Sequence, residues 1–178
     1  DTTLNGCTSE GETFVADGRP QFDLGPDLTV CVEEAVADLA TGLNPTSYDF
    51  NWRINGTNSS VTESSHPVET SINGTFAYTV EVEDNLTNCF ARDTAEITVN
   101  PIPDISYTVV NSTCGNSNGE IQLGTQPVNT IVDVQDQNGN QVGLTGLAAG
   151  TYFLIIQSQI SGCSQTYNVN VSDAGSGL

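Results

Sequence analysis

The chain has 178 residues, of which 22 are acidic, three are arginine and none is lysine, giving a formal charge of −19 at pH 7. Such a field repels phosphate backbones and anionic bilayers, which excludes nucleic acid and acidic membrane surfaces as partners. The lack of lysine excludes lysine-to-asparagine isopeptide cross-links, and the lack of methionine, even at position 1, is what a processed or excised piece would show.

The longest run of large apolar residues, Tyr152 to Ile156, falls far short of the roughly 20 residues that span a bilayer. No basic segment followed by an apolar one marks a secretion signal. Valine, isoleucine, tyrosine and phenylalanine nevertheless recur in alternating runs, as they do in folded β proteins rather than disordered ones.

In chain order, residues 1–20 hold Cys7 in the stretch LNGCTSEGETFVAD and read as the tail strand of a preceding repeat or a linker. Residues 21–100 carry the stretch CVEEAVADLATG, whose second half reads as a strand, and then a run around Trp52. The segment FAYTVEVED follows, with Phe76, Tyr78, Val80 and Val82 on one face, the period of a half-buried antiparallel strand. Residues 101–104 supply two prolines and read as a stiff linker. Residues 105–173 repeat the pattern in DISYTVV, GTYFLIIQ and YNVNV, punctuated by Asn138-Gly139, and residues 174–178 form a short tail. The prediction is all-β: two tandem antiparallel immunoglobulin-like, Greek-key sandwiches, with an N-terminal leftover.

Three stretches share a turn, a cysteine and a β run: residues 4–17, 86–99 and 160–171. Each reads as the last strand of a sandwich. In the second and third an earlier cysteine lies upstream, so of about 15 ways to form two bridges the repeat selects Cys31 with Cys89 and Cys114 with Cys163. Loops of about 50 to 60 residues closed this way would contribute roughly 4 kcal/mol each, and would require an oxidising, extracellular or periplasmic compartment. Cys7 has no upstream companion and is expected to be unpaired or engaged between molecules. Zinc is disfavoured because no CxxC pair exists and His66 is the only histidine.

Little in the chain suggests catalysis. His66, beside Pro67 in what reads as a loop or edge strand, has no nucleophile elbow near it. Glu33 and Glu34 would point to opposite faces of a strand, which does not make a carboxylate pair. Trp52 reads as a core residue packed near the Cys31–Cys89 bridge. Calcium is the one metal the sequence suits, with Asp23, Asp27, Glu83, Asp84, flanked by Asn85, and Asp104 as candidate ligands. The segment around Asp136, Asn138 and Gly139 superficially resembles an EF-hand loop but lacks the distal glutamate and reads as a hairpin. N-glycosylation sequons include those that begin at Asn55, Asn58, Asn73, Asn85 and Asn111.

The segment 104–173 resembles the SprB repeat of Bacteroidota cell-surface proteins. The matching signatures are STCGNSNGEIQL with Cys114, Gly115, Asn118 and Gly119, then LTGLAAGTYFLII with Leu147, Gly150 and Tyr152, then SGCSQTYNVNV with Cys163. In physical terms Leu147 would cap the core, Gly150 would take an unusual backbone angle, and Tyr152 would re-enter the sandwich. Residues 21–100 are similar to PKD-like domains, with Ile54-Asn55-Gly56 where that family has a Gly-Asp-Gly type turn. The resemblance implies a gliding-motility adhesin: a non-enzymatic repeat segment of a surface filament exported by type IX secretion. Its partners would be neighbouring repeats of the same chain and an extracellular surface or polysaccharide, with no membrane insertion by this segment. It also implies O-glycosylation at Thr94, in Asp93-Thr94-Ala95. The alternative is a carbohydrate-binding or accessory module of a secreted multidomain enzyme.

Overall fold

The computed structural model describes residues 18–175, which contain thirteen strands and no helix. The chain divides into two compact units between Asn100 and Pro101. The expected tail strand and Cys7 lie outside the described residues, apart from residues 18–20.

In the N-terminal unit the strands are β1 (Leu28–Cys31), β2 (Leu39–Ala40), β3 (Tyr48–Ile54), β4 (Thr57–Asn58), β5 (Ser65–His66), β6 (Gly74–Asp84) and β7 (Phe90–Asn100). One sheet runs in the order β1-β7-β6-β3-β4, with β1 parallel to β7 and every other pair antiparallel; β2 and β5 pair as the second sheet. This is the immunoglobulin-like arrangement, in which the third strand and the last two share a sheet and the tryptophan of the third strand is buried. Period-two alternation explains it residue by residue: Tyr78, Val80 and Val82 of β6 share the inner side of the sheet with Ala95, Ile97 and Val99 of β7, in a core that encloses Trp52, which is 0% exposed.

The Trp52 indole Nε1 donates to the Glu63 carbonyl at 2.9 Å, and the ring lies 5.3 Å from that of His66. His66 lies buried in β5, which pairs with β2 alone, so the edge-strand alternative holds and not the loop. Its Nδ1 donates to the Pro67 carbonyl at 2.7 Å, which leaves Nε2 to accept from the Ser59 hydroxyl at 2.8 Å. Glu33 sits in a turn at φ 64° instead of in a strand, and the Glu34 carboxylate accepts from the Cys31 amide at 2.8 Å.

In the C-terminal unit β8 (Tyr107–Val110), β9 (Gly119–Leu123) and β11 (Thr145–Leu147) form one sheet in the order β11-β9-β8. The other sheet is β10 (Thr130–Asp136), β12 (Gly150–Ser158) and β13 (Ser164–Val171) in the order β10-β12-β13. Leu154, Ile156, Ile121, Val169 and Val171 fill the space between them. Gly119 marks the tightest approach: a Cβ there would meet Val171 Cγ1 at 2.6 Å and the Leu147 carbonyl at 2.9 Å. The glycine with the left-handed backbone in the LTGLAAG segment is Gly146, at φ 73°, and not Gly150, which simply starts β12.

Neither expected bridge is formed. Parallel pairing sets Cys31 opposite Asn100, the last residue of β7, whereas Cys89 precedes the first. At about 3.3 Å per residue the two cysteines are roughly 35 Å apart, where a disulfide needs Cα atoms within about 7 Å. Cys114 is a free, exposed thiol. Cys31, Cys89 and Cys163 are each disulfide-bonded, and Trp52 packs against the His66 ring.

Candidate functional site

The two units share one local device, the hairpin that leads into the final strand. In the first unit the Asp84 amide donates to the Cys89 carbonyl (2.9 Å) and the Asn88 amide to the Asp84 carbonyl (2.8 Å). The Asp84 carboxylate accepts from the amides of Leu86 and Thr87, both at 2.9 Å. In the second unit Ser158, Cys163 and Gly162 repeat the two main-chain bonds at 2.9 Å each. The Ser158 hydroxyl takes the role of the carboxylate, accepting from Ile160 and Ser161 at 3.3 and 3.2 Å.

Asn88 and Gly162 hold the same left-handed position, at φ 56° and 77°, as residues tolerant of that region do. Each hairpin lifts one aliphatic side chain into solvent, Leu86 at 90% and Ile160 at 80% exposure, and buries the bonded cysteine that follows at 2%. The sequence Thr2-Thr3-Leu4-Asn5-Gly6-Cys7 has the same spacing but lies outside the described residues.

A second correspondence follows from the hairpin register. Counting back six residues gives Tyr78 and Tyr152, both buried. The Tyr152 hydroxyl donates to the Ala148 carbonyl at 2.9 Å, and the Tyr78 oxygen accepts from the Glu69 amide at 3.0 Å. These are tyrosine corners, which tie the start of the penultimate strand to the connection before it.

The candidate calcium ligands are dispersed. The carboxylate of Asp23 accepts from the Gly25 amide at 2.7 Å, and that of Asp27 from the Glu96 amide at 2.8 Å. Asp84 closes its hairpin, where the amides of Thr87 and Leu86 hold its carboxyl below the usual range. Glu83 stands on an open sheet face opposite Asp49 and Phe90. Asp104 belongs to the second unit, where it accepts from the Tyr167 hydroxyl and holds the phenol above its ordinary value. Among the described residues no three His, Cys, Asp or Glu side chains are grouped to hold a metal.

The Asp136 loop is the hairpin its sequence suggests. The carboxylate of Asp136 accepts from the side chain and amide of Asn140 and from the amide of Asn138, which lowers its pKa, and Gly139 takes φ 82°. Asn118, from the STCGNSNG signature, clasps its own loop by accepting from the Thr113 amide at 2.8 Å and donating to the Thr113 hydroxyl at 2.9 Å.

The outer faces of the two larger sheets differ. In the first unit Thr94 is exposed on β7, with its hydroxyl 2.9 Å from that of Thr79. The next row sets Arg92 against Glu81 in an ion pair, with the Arg92 guanidinium 5.7 Å from the centre of the Phe90 ring. Arg53 Nε donates to Asn58 at 3.1 Å. Asp93 beside Thr94 is structural: its carboxylate accepts from the Leu24 amide at 2.7 Å and the Thr94 amide at 2.8 Å. The arginine pairs could not be foreseen from the sequence, because they depend on strand register. The surface is a polar ladder in which part of the side chains pair across strands.

No protein-family model matches the chain, and no characterised protein sequence does. Among solved structures the chain is similar to a three-immunoglobulin fragment of titin at 11% identity and TM-score 0.38, covering 87% of this chain and 65% of that one. It is also similar to the surface glycan-binding protein SGBP-B of the Bacteroides ovatus mixed-linkage glucan utilization locus, solved with a heptasaccharide. That match has 16% identity and TM-score 0.35, covering 88% of this chain and 44% of that one. The chain thus spans less than two thirds of the length of these structures. The immunoglobulin-like assignment is carried by the strand topology itself, and the disulfide-bonded cysteines fit an oxidising compartment.

Proposed function

We propose that the chain is a non-enzymatic segment of a long extracellular adhesin, a surface filament of the kind that serves gliding motility and attachment in Bacteroidota. The observation that carries this reading is the shared hairpin. Two sandwiches with different sequences end in the same hydrogen-bond pattern, the same exposed aliphatic and the same buried disulfide cysteine. Such internal repetition is the signature of an array in which each unit adds length.

The mechanism is mechanical. Long antiparallel ladders along β6 and β7 and along β12 and β13 resist shear, disulfides limit extension, and the acidic surface keeps neighbouring filaments apart. In this reading the chain needs no cofactor and is exported to the cell surface by type IX secretion, as the resemblance of residues 104–173 to the SprB repeat implies.

An antibody raised against the 178-residue chain tests the proposal on intact source cells. Surface labelling, with loss of attachment and gliding when the antibody or an in-frame deletion removes the segment, is the expected result. Labelling confined to the cell interior, or unchanged attachment and gliding in the deletion strain, would overturn it.

A further inference from the structure

The outer face of the β10-β12-β13 sheet stands apart in a chain of charge −19. Its rows are set by register: Phe153 lies between Gln135 and Asn168, Ile155 between Asp133 and Thr166, and Thr151 beside Asn170. The apolar pair Phe153 and Ile155 is half-buried in the middle of the sheet, while Thr151, Thr166, Asn168 and Asn170 are exposed. Asp133 is the one charged residue on this face, and its two carboxylate oxygens accept from the side-chain Nε2 of Gln135 at 2.9 Å and of Gln141 at 2.7 Å.

Two features point to a ligand class. The side chains of Thr151, Thr166, Asn168 and Asn170 make no hydrogen bond within the described residues, unlike the paired threonines and ion pair of the first unit's face. Hydroxyls and carboxamides both donate and accept, which matches a ligand covered in hydroxyls. The central Phe153 and Ile155 offer an apolar strip to the carbon–hydrogen face of a ring, flanked by hydrogen-bonding groups, the usual make-up of a specific ligand site. The charge balance selects further: the overall field repels anionic polymers, and the single carboxylate on the face is already occupied.

We infer that this face, built around Phe153, Ile155, Asn168 and Asn170, binds an extended neutral polysaccharide lying across the strands. The inference rests on the adhesive reading above only for its setting. A segment that merely lengthens a filament would pass the surface-labelling test and fail this one.

Native affinity electrophoresis of the full chain, in gels containing mixed-linkage β-glucan, β-mannan or xylan, supplies the test, with alginate as the anionic control. Retarded migration is expected with at least one neutral polymer and not with alginate, and it should be insensitive to added salt. Phe153→Ala should weaken binding about tenfold or more. The exposed pair Asn168→Asp with Asn170→Asp, which leaves the core untouched, should do the same. Arg92→Ala on the other unit should change nothing. Free migration in all three neutral gels would overturn the inference, as would retardation that survives these substitutions. A salt-sensitive interaction, or a dimer in sedimentation equilibrium that the Asn168 and Asn170 changes abolish, would show that the face serves a protein partner instead.

Discussion

The two units solve the same folding problem with different materials. Residues 1–100 hold all three arginines and 17 of the 22 acidic side chains; residues 101–178 hold five acidic residues and no basic one. The first unit fills its centre with Trp52 and His66. By register the counterpart of Trp52 is Val134, since Trp52 faces Val80 and Val134 faces Leu154, each two residues beyond a corner tyrosine. The final hairpin, by contrast, keeps its hydrogen bonds in both units although only the cysteine is identical in the two sequences. Backbone geometry at the hairpin is therefore the shared requirement, while core filling and surface chemistry are free to diverge.

The largest break in this symmetry should come from the core. Trp52→Ala leaves a ring-sized void and should cost about 3–5 kcal/mol, whereas Val134→Ala should cost about 2 kcal/mol or less. Denaturant unfolding followed by calorimetry and circular dichroism would separate them, and equal losses would mean that the two centres are not equivalent.

The disulfides should instead behave alike. Cys89→Ser and Cys163→Ser should each lose about 2–5 kcal/mol, while Cys114→Ser should lie within about 0.5 kcal/mol of the parent. Thiol labelling should find Cys114 reactive without reduction, and protection of Cys114 would contradict the arrangement.

A smaller effect is expected at the corners. Tyr78→Phe leaves the Glu69 amide without its partner and Tyr152→Phe does the same to the Ala148 carbonyl, each for about 1 kcal/mol. Thermal melts of the two variants should shift by similar amounts.

The smallest prediction concerns pH. The amides of Thr87 and Leu86 favour ionised Asp84 and depress its pKa. Its contribution is therefore complete above the unfolded carboxylate value near 4 and is lost as pH falls through the lower folded value. Ser158 carries no such charge. Amide exchange at Leu86 and Thr87 should quicken as pH falls below about 4, relative to the pH trend at Ile160 and Ser161. Asp84→Asn should remove the difference.

Much of the fold was legible in local patterns. Alternation placed the strand of 76–84 and the run 167–171, Asn138-Gly139 marked its hairpin, and the recurring cysteine turn marked the end of each unit, because these depend on neighbours a few residues apart. The polar face around Phe153 was not legible, since its rows join residues from three strands and only register brings them together.

The cysteines show the boundary most clearly. Their spacing, by itself, determined that each unit carries one cysteine before its sandwich closes and another in its last hairpin. Tertiary structure decided which could meet. Because β1 runs parallel to β7, Cys31 is carried to the end of that strand opposite Cys89, and strand direction is a long-range property that no periodicity of the chain encodes.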